Sequence, residues 1–99
     1  MAQLKEQEIS ERLKNLPEWE RSDMQLVRTL KFESFDRGIN FVDRVAKAAD
    51  EMNHHPDIDI RYTTIKLALT SHDVGALTDR DFRLAAKINE MVQDARQSG

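Results

Sequence analysis

Four side chains in one window carry the chemistry this chain could do: His54 and His55 in the run His54-His55-Pro56, then His72, then Asp81. Imidazole titrates near pH 6.5, so neutral and protonated rings coexist at about pH 7. Eliminating water needs both at once, an acid for the departing hydroxyl and a base for the opposite proton. Two histidines across a pocket would supply that pair, and a flanking carboxylate such as Asp81 would orient a ring or hydrogen-bond the N–H groups of a heterocycle. Three imidazoles also suit zinc in number. Adjacent residues in turn or extended backbone point to opposite sides, however, so His54 and His55 share one ion poorly. There is no H-E-x-x-H spacing and no cysteine. The expectation is acid–base chemistry with neither metal nor cofactor. Each residue also has a plain reading: a histidine at a helix end partners the helix dipole, and Asp81 caps a helix. Only the combination argues for a site.

The bulk properties narrow the rest. With 99 residues, 39% hydrophobic and 33% charged, the chain is long enough for a single domain over 1–99 around one core. No apolar run approaches the roughly 20 residues of a membrane span. The polar, mixed-charge start lacks a signal-peptide pattern, which makes the cytoplasm the expected location. Without cysteine there is no disulfide framework and no thiol nucleophile. The net charge is -3 and the 15 lysines and arginines are scattered, so no basic stripe invites a phosphate backbone. A small, neutral or weakly charged ligand is the better partner.

The elements that must hold the four residues follow from periodicity. Residues 1–8 show no pattern and are expected to fray; Ser10 then opens a short amphipathic helix with Ile9, Leu13 and Leu16 on one side, stopped by Pro17. Trp19 reads as a core or edge anchor. Arg21-Ser22-Asp23 reads as a turn. From Met24 the period is two, with Met24, Leu26, Leu30 and Phe32 on one face and Arg28 breaking the series; a short strand near Trp19 is its expected partner. Ser34 caps a helix whose apolar stripe is Ile39, Val42, Val45, Ala46, Ala49 and Met52, ending at Asn53 before Pro56. The charged face of that helix, Asp50 included, reads as solvated surface. Ile58, Ile60 and Tyr62 alternate in a third strand, Thr63 and Thr64 make a tight connection, and Ile65, Leu67 and Leu69 alternate in a fourth. Residues 71–77 form a loop around Gly75. Thr78 then caps a last helix with stripe Phe82, Ala85, Ile88, Val92 and Ala95, and Asp81 stands three residues on, in a variant of the capping box.

Helix, strand pair, helix, strand pair, helix predicts an α+β fold, α-β-β-α-β-β-α, with a four-stranded antiparallel sheet and helices on one face. If the third and fourth strands are neighbours, His54, His55 and His72 can meet at one end of the sheet, with Asp81 closing the pocket.

The run Asn53-His54-His55-Pro56, then Tyr62, Thr70-Ser71-His72-Asp73, Gly75, Leu77-Thr78 and Asp81 resembles the pterin-4a-carbinolamine dehydratases, over roughly Leu16 to Met91. The resemblance implies the same α-β-β-α-β-β-α fold. It also implies dehydration of 4a-hydroxytetrahydropterin to quinonoid dihydropterin, in the recycling of the pterin used by aromatic amino-acid hydroxylases. No metal or added cofactor is implied, and assembly would be as homodimers or homotetramers. Some animal members also stabilise dimers of a liver homeodomain transcription factor. Carried onto this chain, the resemblance makes His54, His55 and His72 the active-site histidines. His54 and His72 would exchange protons with the 4a-hydroxyl and N5, while His55 shapes and polarises the pocket. Asn53 and Thr70, Ser71, His72 and Asp73 would line the pterin site, and Asp81 would support it. Ile58 departs from the family, where many relatives carry an aromatic two positions after the proline; pterin affinity and range depend on that contact. Two other readings stay open: a non-catalytic dimerisation or interaction module of the coactivator kind on the same fold, and a zinc-dependent hydrolase.

Overall fold

The computed structural model describes residues 3–97, in the order α1 Glu6–Leu13, β1 Glu20–Ser22, β2 Gln25–Lys31, α2 Phe35–Met52, β3 Asp57–Arg61, β4 Thr64–Leu69 and α3 Asp79–Gln97. All pairings in the sheet are antiparallel, and the strand order is β1-β2-β4-β3. The α+β architecture expected from the periodicity is therefore the one found.

The register explains the layering. Leu26 pairs with Leu69, Arg28 with Leu67 and Leu30 with Ile65, and on the other flank of β4 Ile58 pairs with Leu67 and Ile60 with Ile65. Cross-strand partners share a face, so these side chains form one apolar surface. The helices cover it, burying Phe41, Val45 and Ala49 of α2 and Phe82, Leu84, Ala85 and Ile88 of α3. The opposite face carries Thr29, Lys31, Lys66, Asp57 and Asp59 and meets water, as a half-buried antiparallel sheet should.

Four expectations need correction. First, α1 begins at Glu6 and Ser10 lies inside it. The segment from Leu4 is held, not frayed: Leu4 is buried, its N–H donates to the Leu77 carbonyl at 2.9 Å, and Glu6 pairs with Arg21. Met1 and Ala2 lie outside the described residues. Second, Arg21 and Ser22 belong to β1, so the turn centres on Asp23 (φ 54°). Third, Arg28 does not break the apolar face. It stays on it at 8% exposure and donates to Asn89 Oδ1, which also accepts from Trp19 Nε1 at 2.7 Å. A long stem can lie in the core when its head finds such a partner. Fourth, the β3–β4 turn comes one residue earlier than expected, at Tyr62 and Thr63, and Tyr62 takes the left-handed φ of 53°.

The caps behave as the sequence predicts. Ser34 Oγ accepts from the Arg37 N–H at 3.2 Å, and Asn53 ends α2 in the left-handed region at φ 51°. Thr78 Oγ1 accepts from the Arg80 N–H at 3.3 Å while the Asp81 carboxylate accepts from the Thr78 N–H at 3.0 Å, closing the capping box.

Candidate active site

Pairing of Asp57 with Ala68 and of Leu26 with Leu69 brings the start of β3, the end of β4 and the start of β2 to one end of the sheet. The way α2 stops decides what enters there. The His54 N–H donates to the Ala49 carbonyl at 3.0 Å, and the left-handed Asn53 reverses the chain. Pro56 forbids further helix. Successive residues after the reversal face opposite ways, so His54 turns inward and His55 outward.

His54 is 6% exposed, and its Nε2 is hydrogen-bonded to Asp81 Oδ1 at 2.6 Å. Asp81 is fully buried. Its second oxygen accepts from the Ser71 hydroxyl at 2.9 Å and from the Thr78 N–H, and the Ser71 and Thr78 hydroxyls are hydrogen-bonded at 2.7 Å. A carboxylate away from water needs a partner on each oxygen, and this one has them. The network ties the corner after α2, the end of β4 and the first turn of α3 together.

His55 stands in the open. Its side chain is 58% exposed, with Nε2 at 2.8 Å from Asp50 Oδ1, in the last turn of α2. The sequence offers no sign of this partnership, which depends on the chain doubling back at Asn53.

His72 follows Ser71 on the loop between β4 and α3. With Thr70 and Gly75 it lines a hollow of about 370 Å³, whose other wall is Ser22, Asp23, Met24 and Gln25 of the β1–β2 turn. His54 and His55 do not line that hollow. The loop is braced from within: the Ser71 carbonyl accepts from the Val74 and Gly75 N–H groups at 3.1 and 2.8 Å, and Gly75 has a φ of 72°. It is also braced from α3. Both Asp73 oxygens accept from Arg80 Nη2, at 2.7 and 3.0 Å. This hydrogen bonding, helped by the guanidinium charge, holds the Asp73 carboxyl below its ordinary range.

Of the residues named from the sequence, the structure joins His54, Ser71 and Asp81 in one network and sets Thr70 and His72 together in the hollow. Asn53 forms the helix end, Asp73 bonds to Arg80, and His55 sits on the surface with Asp50. Sequence reasoning missed Asp50 and the hollow's β1–β2 wall. Among the described residues no group of three or more His, Asp or Glu side chains is arranged to hold a metal ion.

The family model described as pterin 4 alpha carbinolamine dehydratase matches residues 2–91. The chain belongs to that family. A protein of Chloroflexus aurantiacus that carries pterin-4-alpha-carbinolamine dehydratase as a provisional name is 48% identical over 92 residues, covering 93% of this chain and 99% of that one. A protein of Acidobacterium capsulatum with the same provisional name is 47% identical and covers 93% of this chain and 100% of its own. Among solved structures, a transcriptional coactivator/pterin dehydratase from Brucella melitensis superposes with a TM-score of 0.87 at 28% identity, over 91% of this chain and 98% of that one. A pterin dehydratase-like protein identified as a RuBisCO assembly factor in the alpha-carboxysome shares the fold, with a TM-score of 0.62 at 20% identity, over 74% of this chain and 84% of its own.

Proposed function

We propose that this protein is a cytoplasmic 4a-hydroxytetrahydropterin dehydratase acting in tetrahydropterin recycling. In the reaction the C4a–O bond breaks, the departing hydroxyl takes a proton and leaves as water, and N5 gives up its proton, yielding quinonoid dihydropterin. The observation that carries this reading is the buried His54–Asp81–Ser71 network, directly followed in the chain by His72 at the mouth of a hollow. It fixes one imidazole behind the loop that follows β4 and sets a second, on that loop, beside space for a flat heterocycle.

The division of labour follows from exposure. Nε2 of His54 is committed to Asp81, so we assign His54 to anchoring, through Asp81 and Ser71, the loop that carries His72. His55 and His72, the two exposed imidazoles, then carry the proton transfers, with Asp50 orienting His55. This differs from the sequence-based expectation, which paired His54 with His72. In this reading the pterin lies over the end of β4, between the His72 hollow and the corner at His55. Thr70 is beneath it, and Asn53, Ser71 and Asp73 hold its surroundings. Positioned acid–base groups typically contribute 10²–10⁴-fold each. The test is dehydration of chemically generated 4a-carbinolamine followed by absorbance. The protein should exceed buffer well, and His72→Ala should lose roughly 10²-fold or more. A folded protein no faster than buffer, or a variant as fast as wild type, would sink the catalytic reading.

A second reading is an interaction module. Phe35 and Tyr62 are 50% and 75% exposed and the edge strand β3 carries Ile60 at 39% exposure, as surfaces that meet another chain often do. The same features support a homodimer or homotetramer. Light scattering after size exclusion decides the assembly state. A stoichiometric partner retained by the His55→Ala, His72→Ala double variant would favour the module.

A further inference from the structure

The polar groups behind the His72 loop and those around its hollow are used differently. Behind the loop, Ser71, Thr78 and Asp81 bond to one another and to His54. Around the hollow, Ser22, Asp23, Gln25, Thr70 and His72 line about 370 Å³. None of their side chains has a hydrogen-bond or ion-pair partner among the described residues. A space of that size, within the roughly 300–1,000 Å³ of small-molecule sites, ringed by unused polar groups, is built to receive a ligand.

Asp23 is the charge that the β1–β2 turn brings to this space. Leu26 pairs with Leu69, so the turn before β2 stands beside the point where β4 gives way to Thr70 and His72. Asp23 is exposed and holds a φ of 54°, a conformation that Asn tolerates equally and Gly adopts freely. Turns select Asp when its carboxylate bonds a nearby backbone N–H. Among the described residues this carboxylate makes no such bond. Nor does the neighbouring cation consume it. The Arg21 guanidinium is fastened to both oxygens of Glu6 and, through Nε at 2.8 Å, to the Asp23 backbone carbonyl.

We propose that Asp23 is a specificity residue that reads the pyrimidine edge of the pterin, accepting from N3–H and the 2-amino group in a two-point hydrogen bond. The inference rests on the dehydratase reading and adds the orientation of its substrate. N3–H and one 2-amino N–H are parallel donors on one edge, as on a guanidinium, and a carboxylate meets that pattern with both oxygens. The pyrimidine ring then enters the hollow, C4a and N5 come beside His72, and the C6 substituent points away from the turn. The reverse orientation would set the C6 substituent against Asp23, where an anionic tail is repelled. An oxygen in place of the 2-amino group would face the carboxylate with acceptor against acceptor, which a fixed polar site penalises.

The test is calorimetric titration of the full chain with 7,8-dihydropterin, which has no C6 substituent, and with 7,8-dihydrolumazine, in which an oxo group replaces the 2-amino group. Wild type should prefer the pterin by about tenfold or more. Asp23→Asn and Asp23→Gly both suit the turn and should melt close to wild type. Each should bind the pterin about tenfold more weakly while its affinity for the lumazine holds or improves. In turnover of the carbinolamine both variants should raise KM and leave kcat nearly unchanged. Variants that keep the wild-type preference, or a wild type that binds both rings alike or neither, would overturn the proposal. If turnover persists in those cases, the dehydratase reading stands without it. An Asp23-dependent preference in a protein that turns nothing over would support the recognition and strike the catalysis alone.

Discussion

His54 and His55 are neighbours in sequence, each bonded through Nε2 to an aspartate, yet the two pairs are physically different objects. His54–Asp81 is sealed, with side-chain exposures of 6% and 0%, and every polar atom of the carboxylate is engaged. His55–Asp50 is open, at 58% and 76%. Breaking a buried pair leaves an uncompensated polar group or charge in the interior and costs several kcal/mol. Breaking an exposed one hands both groups to water at a cost near zero. The same two residue types thus serve as architecture on one side of a peptide bond and as available chemistry on the other.

The largest effect should come from the sealed pair. Asp81→Ala strands the His54 ring and the Thr78 N–H, leaves the Ser71 hydroxyl with only Thr78 as partner, and should destabilise the fold by about 3–5 kcal/mol. In a domain of this size that appears as a melting temperature lower by roughly 12 °C or more. A variant that melts like wild type would mean the network is not closed in solution.

The open pair sharpens the contrast. His55→Ala and Asp50→Asn should leave stability within about 0.5 kcal/mol of wild type, as urea unfolding would show. On the proposed function His55→Ala should still slow dehydration by 10²-fold or so. Asp50→Asn, which only loosens the ring's orientation, should cost less. A stability loss comparable to that of Asp81→Ala would erase the distinction between the two pairs.

The smallest effect concerns the loop that carries His72. Arg80 lowers the Asp73 pKa, so this contact contributes fully above the ordinary carboxylate range. It is lost only as pH falls through the depressed value. Hydrogen exchange of residues 72–75 should therefore hardly reflect the contact's loss from neutral pH down to about 4, once the intrinsic pH dependence is removed, and should quicken below that. Asp73→Asn should show the faster exchange at every pH. Because Asp73 is exposed, global stability should barely move.

How much of this was legible beforehand follows the range of the interactions. The caps at Ser34 and Thr78, the end of α2 at Asn53 and most of the strand alternation are local, and they are read correctly from adjacent residues. The reach of Asp81 past its own helix to His54 could be guessed from topology, because an antiparallel β3–β4 pair puts those segments together. Asp50 escaped notice because its bond to His55 exists only after the chain reverses, and a lone acid on a charged helix face looks like any other. Arg28 looked like a fault in a strand for a similar reason: its partner Asn89 stands on another element 61 residues away. Leu4 is held by Leu77, a contact no local pattern announces.

The most direct measurement is a crystal structure of the protein with a dihydropterin bound. The pterin is expected over the end of β4, with ring atoms C4a and N5 within hydrogen-bond reach, or one water, of His72 and His55. It should leave the His54–Asp81 bond intact. A pterin bound elsewhere, or one touching neither exposed imidazole, would contradict the account.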